Sequence, residues 1–230
     1  MNIFLLGRPG CGKSAVFHIL ERELRKRGYG GEIKRIDDFP ILKKIFESDV
    51  EFKRHRPCPE GGVKVTDDTV WDDLIKGLDR QAKEFLGRDI ILFIEFSRDS
   101  YRRAFKNFSP EVLKDSVVVY IDAPFDICWE RNVRRARLES GLDAHLVSRE
   151  EMEKTYLHDD HEELQRELDL PVVIVKNDLD GTELLEKELE KVAGNIDTAN
   201  RELNDLKTKI ASAVDGDPLW PWPEMLNSLY

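Results

Sequence analysis

The chain has 230 residues, with 36 Lys and Arg against 46 Asp and Glu, so its formal net charge is −10. Hydrophobic residues make up 40% and charged residues 36%, a composition typical of globular proteins rather than of disordered or membrane proteins. The acidic balance argues against a protein that binds nucleic acid by bulk positive charge, but it leaves room for a local anion-binding pocket.

The longest apolar runs, at 90–94, 117–121 and 171–175, have the length of strands, so the sequence predicts no membrane-spanning helix. No basic region or cleavage site typical of a signal peptide precedes the first predicted strand. The three cysteines are widely spaced and form neither a disulfide framework nor a C-x-x-C metal pair. We therefore expect a cytoplasmic protein with reduced thiols and no membrane partner.

Short runs of β-branched residues alternate with helical stretches, which predicts an α/β fold with a largely parallel sheet. Three predicted strands are apolar almost throughout, as expected when helices cover both faces of a sheet. A helix that opens at 66–68 is predicted to place Trp71 and Leu74 on one apolar face. The predicted strands are 2–6, 32–36, 89–94, 116–121 and 171–175.

The first predicted strand leads into Gly7-Arg8-Pro9-Gly10-Cys11-Gly12-Lys13-Ser14, a G-x-x-x-x-G-K-S stretch that an amphipathic helix follows. The glycines let successive backbone N–H groups point at phosphate oxygens, and the helix adds its positive N-terminus. Lys13 would reach the β- and γ-phosphates, and the Ser14 hydroxyl would hold Mg²⁺. The residues expected to contact the nucleotide are Gly7, Gly10, Cys11, Gly12, Lys13, Ser14 and Ala15.

Acidic residues follow the second and third predicted strands, at the sheet edge where the P-loop lies. Glu95 is placed to bind Mg²⁺ through water or to take a proton from the substrate, and Arg98 to hold an acceptor phosphate or hydroxyl. Asp38 is a rival general base, while Asp37 is either a helix N-cap or a substrate contact. No Asp-x-x-Gly follows the third strand, which argues against a GTPase.

Four arginines lie within seven residues of the helix predicted after the fourth strand, at 131–137. Arg131 and Arg135 share a face at i, i+4 and could stabilise the charge on a transferring phosphoryl group. The alternative is a solvated basic face that pairs with the acidic segment 149–169. Residues from about 138 to 149 form a predicted lid, and the histidines and aspartates at 158–161 are predicted to lie on the surface.

The last fifth of the chain repeats apolar residues at alternating spacings of four and three from Leu185 to Ala213. This pattern predicts one long helix over about 181–214, or two helices that meet near Gly194. The helix either packs along the parent domain or forms the seam of a homodimer. We predict a domain at 1–193, followed by a C-terminal helix and a Pro/Trp-rich tail at 194–230.

These motifs resemble those of the P-loop kinases that phosphorylate nucleosides and nucleotides. The segment 95–98 is similar to the Asp-Gly-Phe-Pro-Arg segment of adenylate-kinase-like enzymes and to the Glu-Arg-Ser segment of deoxynucleoside kinases. Asp37-Asp38-Phe39 is similar to the segment of uridine and nicotinamide riboside kinases in which an Asp is the base. The helix at 130–137 resembles the helix at the base of the lid in the first two families. The segment from Tyr156 to Leu164 is similar to the helix after the lid in deoxynucleoside kinases.

The resemblance implies a three-layer P-loop NTPase fold, with a five-stranded parallel sheet and a lid, that uses Mg-ATP as phosphoryl donor. The leading hypothesis is therefore ATP-dependent phosphoryl transfer to a small-molecule acceptor, with a nucleoside or nucleotide favoured. Two alternatives stay open: a nucleotide-dependent switch or scaffold that signals through its C-terminal helix, and a kinase-like modifier of a larger substrate.

Overall fold

The computed structural model describes residues 1–58, 63–138, 146–178 and 182–216, and the side chains of these residues except 138, 182 and 210–216. Most of the predicted lid, at 139–145, and the Pro/Trp-rich tail from 217 onward lie outside the described residues. Within the described ranges, no helix combines the length and the apolar composition needed to cross a bilayer.

A five-stranded parallel sheet forms the centre of the fold, in the order β2-β5-β1-β6-β7. All five predicted strands are confirmed, each with ends within two residues of the prediction. A separate antiparallel hairpin, which the sequence analysis did not predict, pairs β3 with β4. The strands are Asn2–Leu6 (β1), Glu32–Asp37 (β2), His55–Pro57 (β3), Val63–Val65 (β4), Ile90–Phe96 (β5), Ser116–Asp122 (β6) and Val172–Lys176 (β7).

Helices cover both faces of the sheet, which gives the predicted three layers. Gly28, at a φ of 88°, closes the first helix as predicted, and Ser148 caps the seventh by accepting a hydrogen bond from the Glu151 amide. The helices are Lys13–Lys26 (α1), Asp38–Ser48 (α2), Thr69–Lys83 (α3), Tyr101–Phe105 (α4), Pro110–Leu113 (α5), Phe125–Leu138 (α6), Arg149–Tyr156 (α7), His161–Glu167 (α8) and Thr182–Gly216 (α9).

The two hydrophobic cores lie on opposite faces of the sheet, and β1 contributes to both because side chains alternate along a strand. Ile3 and Leu5 pack with residues of α1, α7 and α9, whereas Phe4 and Leu6 pack with residues of α3 and α4. β1 is thus covered on both faces, and the loop that follows it starts from a rigid strand.

The C-terminal heptad pattern forms one continuous helix, α9, that passes through the predicted domain boundary at 193–194. Leu189 and Ile196 are buried in the core that includes α1, whereas Leu206, further along, is 47% exposed. α9 therefore packs along the parent domain over its first half. The division of the chain at residue 193 and the homodimer stay predictions.

Candidate active site

The P-loop lies so close to neighbouring atoms that a Cβ atom on Gly10 or on Gly12 would clash, with backbone in the first case and with a side chain in the second. A Cβ atom on Gly10 would lie 2.2 Å from the carbonyl oxygen of Cys128, and one on Gly12 would lie 2.4 Å from the side-chain amide of Asn177. That amide donates a hydrogen bond of 2.7 Å to the Cys11 carbonyl. Gly10 and Gly12 also have φ values of 83° and 102°, which favour glycine. The loop conformation therefore depends on α6 and on the segment after β7.

We expect Gly10→Ala to destabilise the protein by about 2–4 kcal/mol, because the new methyl group meets backbone atoms and the φ angle is unfavourable. Thermal unfolding measures the loss. Gly30→Ala is the control, since a Cβ atom there meets nothing within 4 Å. Equal stability of the two variants would contradict this account of the loop.

The P-loop and the start of α1 supply the donor groups that bound phosphates need. Gly12 precedes α1 and gives the helix no side-chain cap, so the first-turn amides are open to an anion. Lys13 is only 8% exposed, and its Nζ lies 3.0 Å from the Gly7 carbonyl, 3.1 Å from the Arg8 carbonyl and 2.8 Å from Ser97 Oγ. Burial opposes the charge, but the acidic groups around it, among them Glu95, give Lys13 a raised pKa.

The residues of the site also fit a Mg²⁺ ion that is bound together with a nucleotide. Such an ion needs few ligands from the protein, because phosphate oxygens and water complete its coordination. Ser14 and Glu95 line the same cavity, so the predicted metal-binding residues lie close together. Among the described residues, no group of three or more His, Cys, Asp or Glu side chains forms a metal site by itself. The site thus suits a magnesium ion delivered with ATP better than a resident metal.

Glu95 and Asp37 are neighbours across two strands of the sheet, in register between β5 and β2. Glu95 is 7% exposed, and its Oε2 lies 3.4 Å from Arg35 Nη1. Burial raises the pKa of Glu95 to about 7. The positive charge of Lys13 lowers this pKa, and the negative charge of Asp37 raises it further. A carboxylate with this pKa can exchange a proton near neutral pH.

Asp37 serves as the N-cap of α2, one of the two roles that the sequence left open, because it accepts a hydrogen bond of 2.8 Å from the Phe39 amide. Burial and the neighbouring charge of Asp38 raise its pKa. Asp37 also lines the cavity, so a substrate contact stays a prediction.

Asp38 and Arg98 form an ion pair beside the P-loop. Arg98 Nη2 lies 3.3 Å from Asp38 Oδ2, and the same oxygen accepts a hydrogen bond of 3.3 Å from the Ser97 amide. The Arg98 guanidinium stacks over the Trp71 ring, 4.6 Å from its centroid. Arg98 is 3% exposed, and its Nε has no hydrogen-bond partner among the described residues. A buried donor of this kind is available to an acceptor group.

These groups meet in one cavity of about 410 Å³ that runs from the P-loop to the β3–β4 hairpin. Its lining includes charged side chains, among them Lys13, Glu95 and Arg98, and a group of apolar and aromatic side chains that we call the apolar wall. The hairpin and α7 close this wall together, since the Val65 amide donates a hydrogen bond to Glu151. The apolar wall consists of Phe39, Leu42, Phe46, Val63, Val65, Trp71, Val147 and Tyr156.

The two predicted arginines of α6 have different surroundings. Arg135 lines the cavity, and its Nη2 lies 3.4 Å from Asn132 Oδ1. Arg131 Nη1 donates to the carbonyl of Asn177 at 3.0 Å, the residue whose side chain braces Gly12. Arg135 therefore lies at the cavity, whereas Arg131 contacts the segment that holds the P-loop and is not among the lining residues.

Comparison with known proteins adds one sequence relative and several structures. No family model matches the chain. The adenylyl-sulfate kinase of Halothermothrix orenii is 26% identical over 134 residues, which are 58% of this chain and 62% of the relative. The match thus spans less than two thirds of the relative's length.

Among solved structures of low sequence identity, Kti12 shares the fold. Kti12 of Chaetomium thermophilum, solved in complex with ADP-AlF3, is similar over 85% of this chain and 98% of that one, with 15% identity and a TM-score of 0.56. Shikimate kinase of Acinetobacter baumannii, solved with shikimate, is 19% identical over 84% of this chain and 93% of that one, with a TM-score of 0.45. The predicted α/β fold with a five-stranded parallel sheet is thus confirmed, and the predicted resemblance to P-loop kinases agrees with the name of the sequence relative.

Proposed function

We propose that the protein is an ATP- and Mg²⁺-dependent kinase that phosphorylates a small molecule, with a nucleoside or nucleotide as acceptor. One observation supports this most: Lys13 of the P-loop, the carboxylates of Asp38 and Glu95 and the buried Arg98 line the same cavity. A phosphate-binding loop that opens directly onto a proton acceptor and a cation is what phosphoryl transfer requires.

On the donor side, the first-turn amides of α1 and the Lys13 ammonium would bind the ATP phosphates, and Ser14 would hold the metal with Glu95. Magnesium, when bound, would neutralise charge on the phosphates. Arg135 would add positive charge from the opposite side of the cavity, and Arg131 would support the nucleotide side.

On the acceptor side, two carboxylates are candidates for the base. Asp38 is held by Arg98 and the Ser97 amide, so its direction is fixed, whereas Glu95 has a pKa near 7. Either can orient an acceptor hydroxyl toward the P-loop. The variants Asp38→Asn and Glu95→Gln test which carboxylate is the base, because loss of the base lowers kcat far more than it weakens ATP binding.

The apolar wall favours an acceptor with a flat ring. Phe46, Trp71 and Tyr156 surround a space of nucleoside size, and the Arg98 donor can bind a hydroxyl or phosphate of the same molecule. The name of the sequence relative, adenylyl-sulfate kinase, denotes a nucleotide acceptor, which agrees with this choice. Aromatic side chains stack on bases with energies of about 1–3 kcal/mol each.

The test is a screen of nucleosides and nucleotides under Mg-ATP that follows ADP formation. We expect at least one acceptor to increase ADP formation well above the rate without acceptor. ATP binding without any acceptor-dependent turnover would contradict the proposal and favour the nucleotide-dependent switch. Turnover only with a macromolecular acceptor would favour the modifier hypothesis.

Trp71→Leu tests the acceptor wall. We expect the KM for the acceptor to rise by roughly tenfold or more, because a stacking surface and the support of Arg98 are both lost. The Kd for ATP should change little. Trp129→Leu is the matched control, since Trp129 lies on α6 outside this cavity. The same KM for both variants would contradict an aromatic acceptor site at Trp71.

A further inference from the structure

Two consecutive aspartates in the turn between α7 and α8, which the sequence predicted on the surface, form hydrogen bonds with other elements of the fold. The Asp159 side chain is only 1% exposed. It accepts a hydrogen bond of 2.7 Å from the Tyr120 hydroxyl and lies 2.5 Å from the His161 ring nitrogen Nδ1. The His161 ring stacks on the Tyr120 ring at 4.3 Å. A buried carboxylate with this many partners has a fixed position.

The third partner of Asp159 is Arg8, the second residue of the P-loop, whose Nη2 lies 3.8 Å from the carboxylate. The Arg8 guanidinium donates to the carbonyl oxygens of Tyr156 at 2.7 Å, Ala123 at 3.2 Å and Leu157 at 3.5 Å. Arg8 therefore connects the P-loop to the ends of β6 and α7.

Asp160 is linked to the residue before Arg8 by a separate route. Its carboxylate accepts hydrogen bonds from the Tyr101 amide at 2.7 Å and from the Ser100 hydroxyl at 2.9 Å. The Tyr101 hydroxyl in turn accepts a hydrogen bond of 3.0 Å from the Gly7 amide. The first two residues of the P-loop are thus both connected to one turn that lies about 150 positions later in the sequence.

We propose that Asp159 is a positioning residue for nucleotide binding, which acts through Arg8 to hold the P-loop in the conformation that receives phosphates. The inference rests on the proposed function only in taking a magnesium nucleotide as the ligand. Without the carboxylate, Arg8 loses its buried counter-charge and the loop loses one fixed end. The pKa of Asp159 agrees with this arrangement. Burial raises it, but the hydrogen bond with His161 and the charge of Arg8 lower it by more, so the carboxylate form is favoured.

The first experiment compares Asp159→Asn with Asp79→Asn. Asp79 is a fitting control because it is also buried and accepts hydrogen bonds from the Ser109 amide and hydroxyl, far from the P-loop. Calorimetric titration with Mg·ADP gives the Kd at a temperature where both variants are folded. We expect Asp159→Asn to raise the Kd roughly tenfold. Asp79→Asn should lower the unfolding temperature and leave the Kd unchanged.

The second experiment is a double-mutant cycle with Arg8→Lys, a variant that keeps the charge but cannot contact three carbonyl groups at once. We expect Arg8→Lys to raise the Kd by a similar factor, and the double variant to add little to either single one. In steady-state assays the KM for ATP should rise in the same proportion, while kcat changes less than about twofold.

Unchanged Kd values in Asp159→Asn, or full additivity with Arg8→Lys, would overturn the inference and leave Asp159 a stabilising residue only. Should Asp159→Asn not fold, Arg8→Lys alone decides, and an unchanged Kd in that variant overturns the inference. Failure of the wild-type protein to bind Mg·ADP would overturn the proposed function as well, so the two failures are distinguishable.

Discussion

Lys13→Ala is expected to lower kcat/KM for ATP-dependent phosphoryl transfer by a factor of about 10³ or more. The Lys13 ammonium is almost completely buried at the cavity that the phosphates would enter. It also donates hydrogen bonds to the carbonyl oxygens of Gly7 and Arg8, so its removal takes one donor from each of them at the point where phosphate charge must be neutralised. A coupled assay of ADP formation, with the acceptor found in the screen, measures the loss.

The matched control is Lys26→Ala, which removes the same charge from the last, exposed turn of the same helix. We expect this variant to keep wild-type activity, since its partner Glu23 lies far from the P-loop. A Lys13→Ala enzyme with more than about a tenth of wild-type kcat/KM would contradict the proposed role. Removal of a group that stabilises the transferring phosphoryl lowers kcat/KM by a much larger factor.

The second large effect concerns Glu95 and pH. Because the pKa of Glu95 is raised to about 7, the carboxylate is protonated below that pH and ionised above it. Both of its proposed roles, proton acceptor and magnesium ligand through water, need the ionised form. We therefore expect kcat/KM to fall about tenfold per pH unit below pH 7 and to level off above it. Glu95→Gln should abolish this dependence together with most of the activity.

The stability of the folded protein should depend on pH in the opposite direction, because the contribution of Glu95 decreases as the pH rises. A carboxyl group whose pKa is higher in the folded than in the unfolded chain stabilises the fold at low pH, and this contribution is lost as the pH rises through the folded-state pKa. Glu95→Gln, which keeps the shape without the charge, should therefore raise the unfolding temperature at pH 8 by a few degrees and have little effect at pH 5. Glu23→Gln on α1 is the control, and an equal shift there would contradict a specific effect of Glu95.

The sequence sufficed for the sheet and for the P-loop because both depend on local patterns. Buried parallel strands are apolar on both faces, so β5 and β6 stand out as short apolar runs, and the G-x-x-x-x-G-K-S spacing needs only eight consecutive residues. The acidic residues after β2 and β5 followed from topology, since parallel strands end at one edge.

The apolar wall of the cavity could not be predicted, because its residues come from elements far apart in the chain. The helical pattern assigns Trp71 to an apolar face, and only the fold shows that this face also borders a cavity with Phe46 and Tyr156. The segment with Asp159 was predicted on the surface because no third metal ligand is apparent beside its two histidines. Its burial depends on Tyr120 and Arg8, which no local pattern connects with it.

The strand order has a consequence for how the protein is made. β1 is translated first but lies at the centre of the sheet, between β5 and β6, so a nascent chain of a hundred residues can pair it on one side only. The contacts that brace the P-loop arrive later still, with Asp159 and then Asn177. The chain must therefore be translated beyond residue 177 before the P-loop acquires its final shape, and nucleotide capture during synthesis would report that the whole sheet has closed.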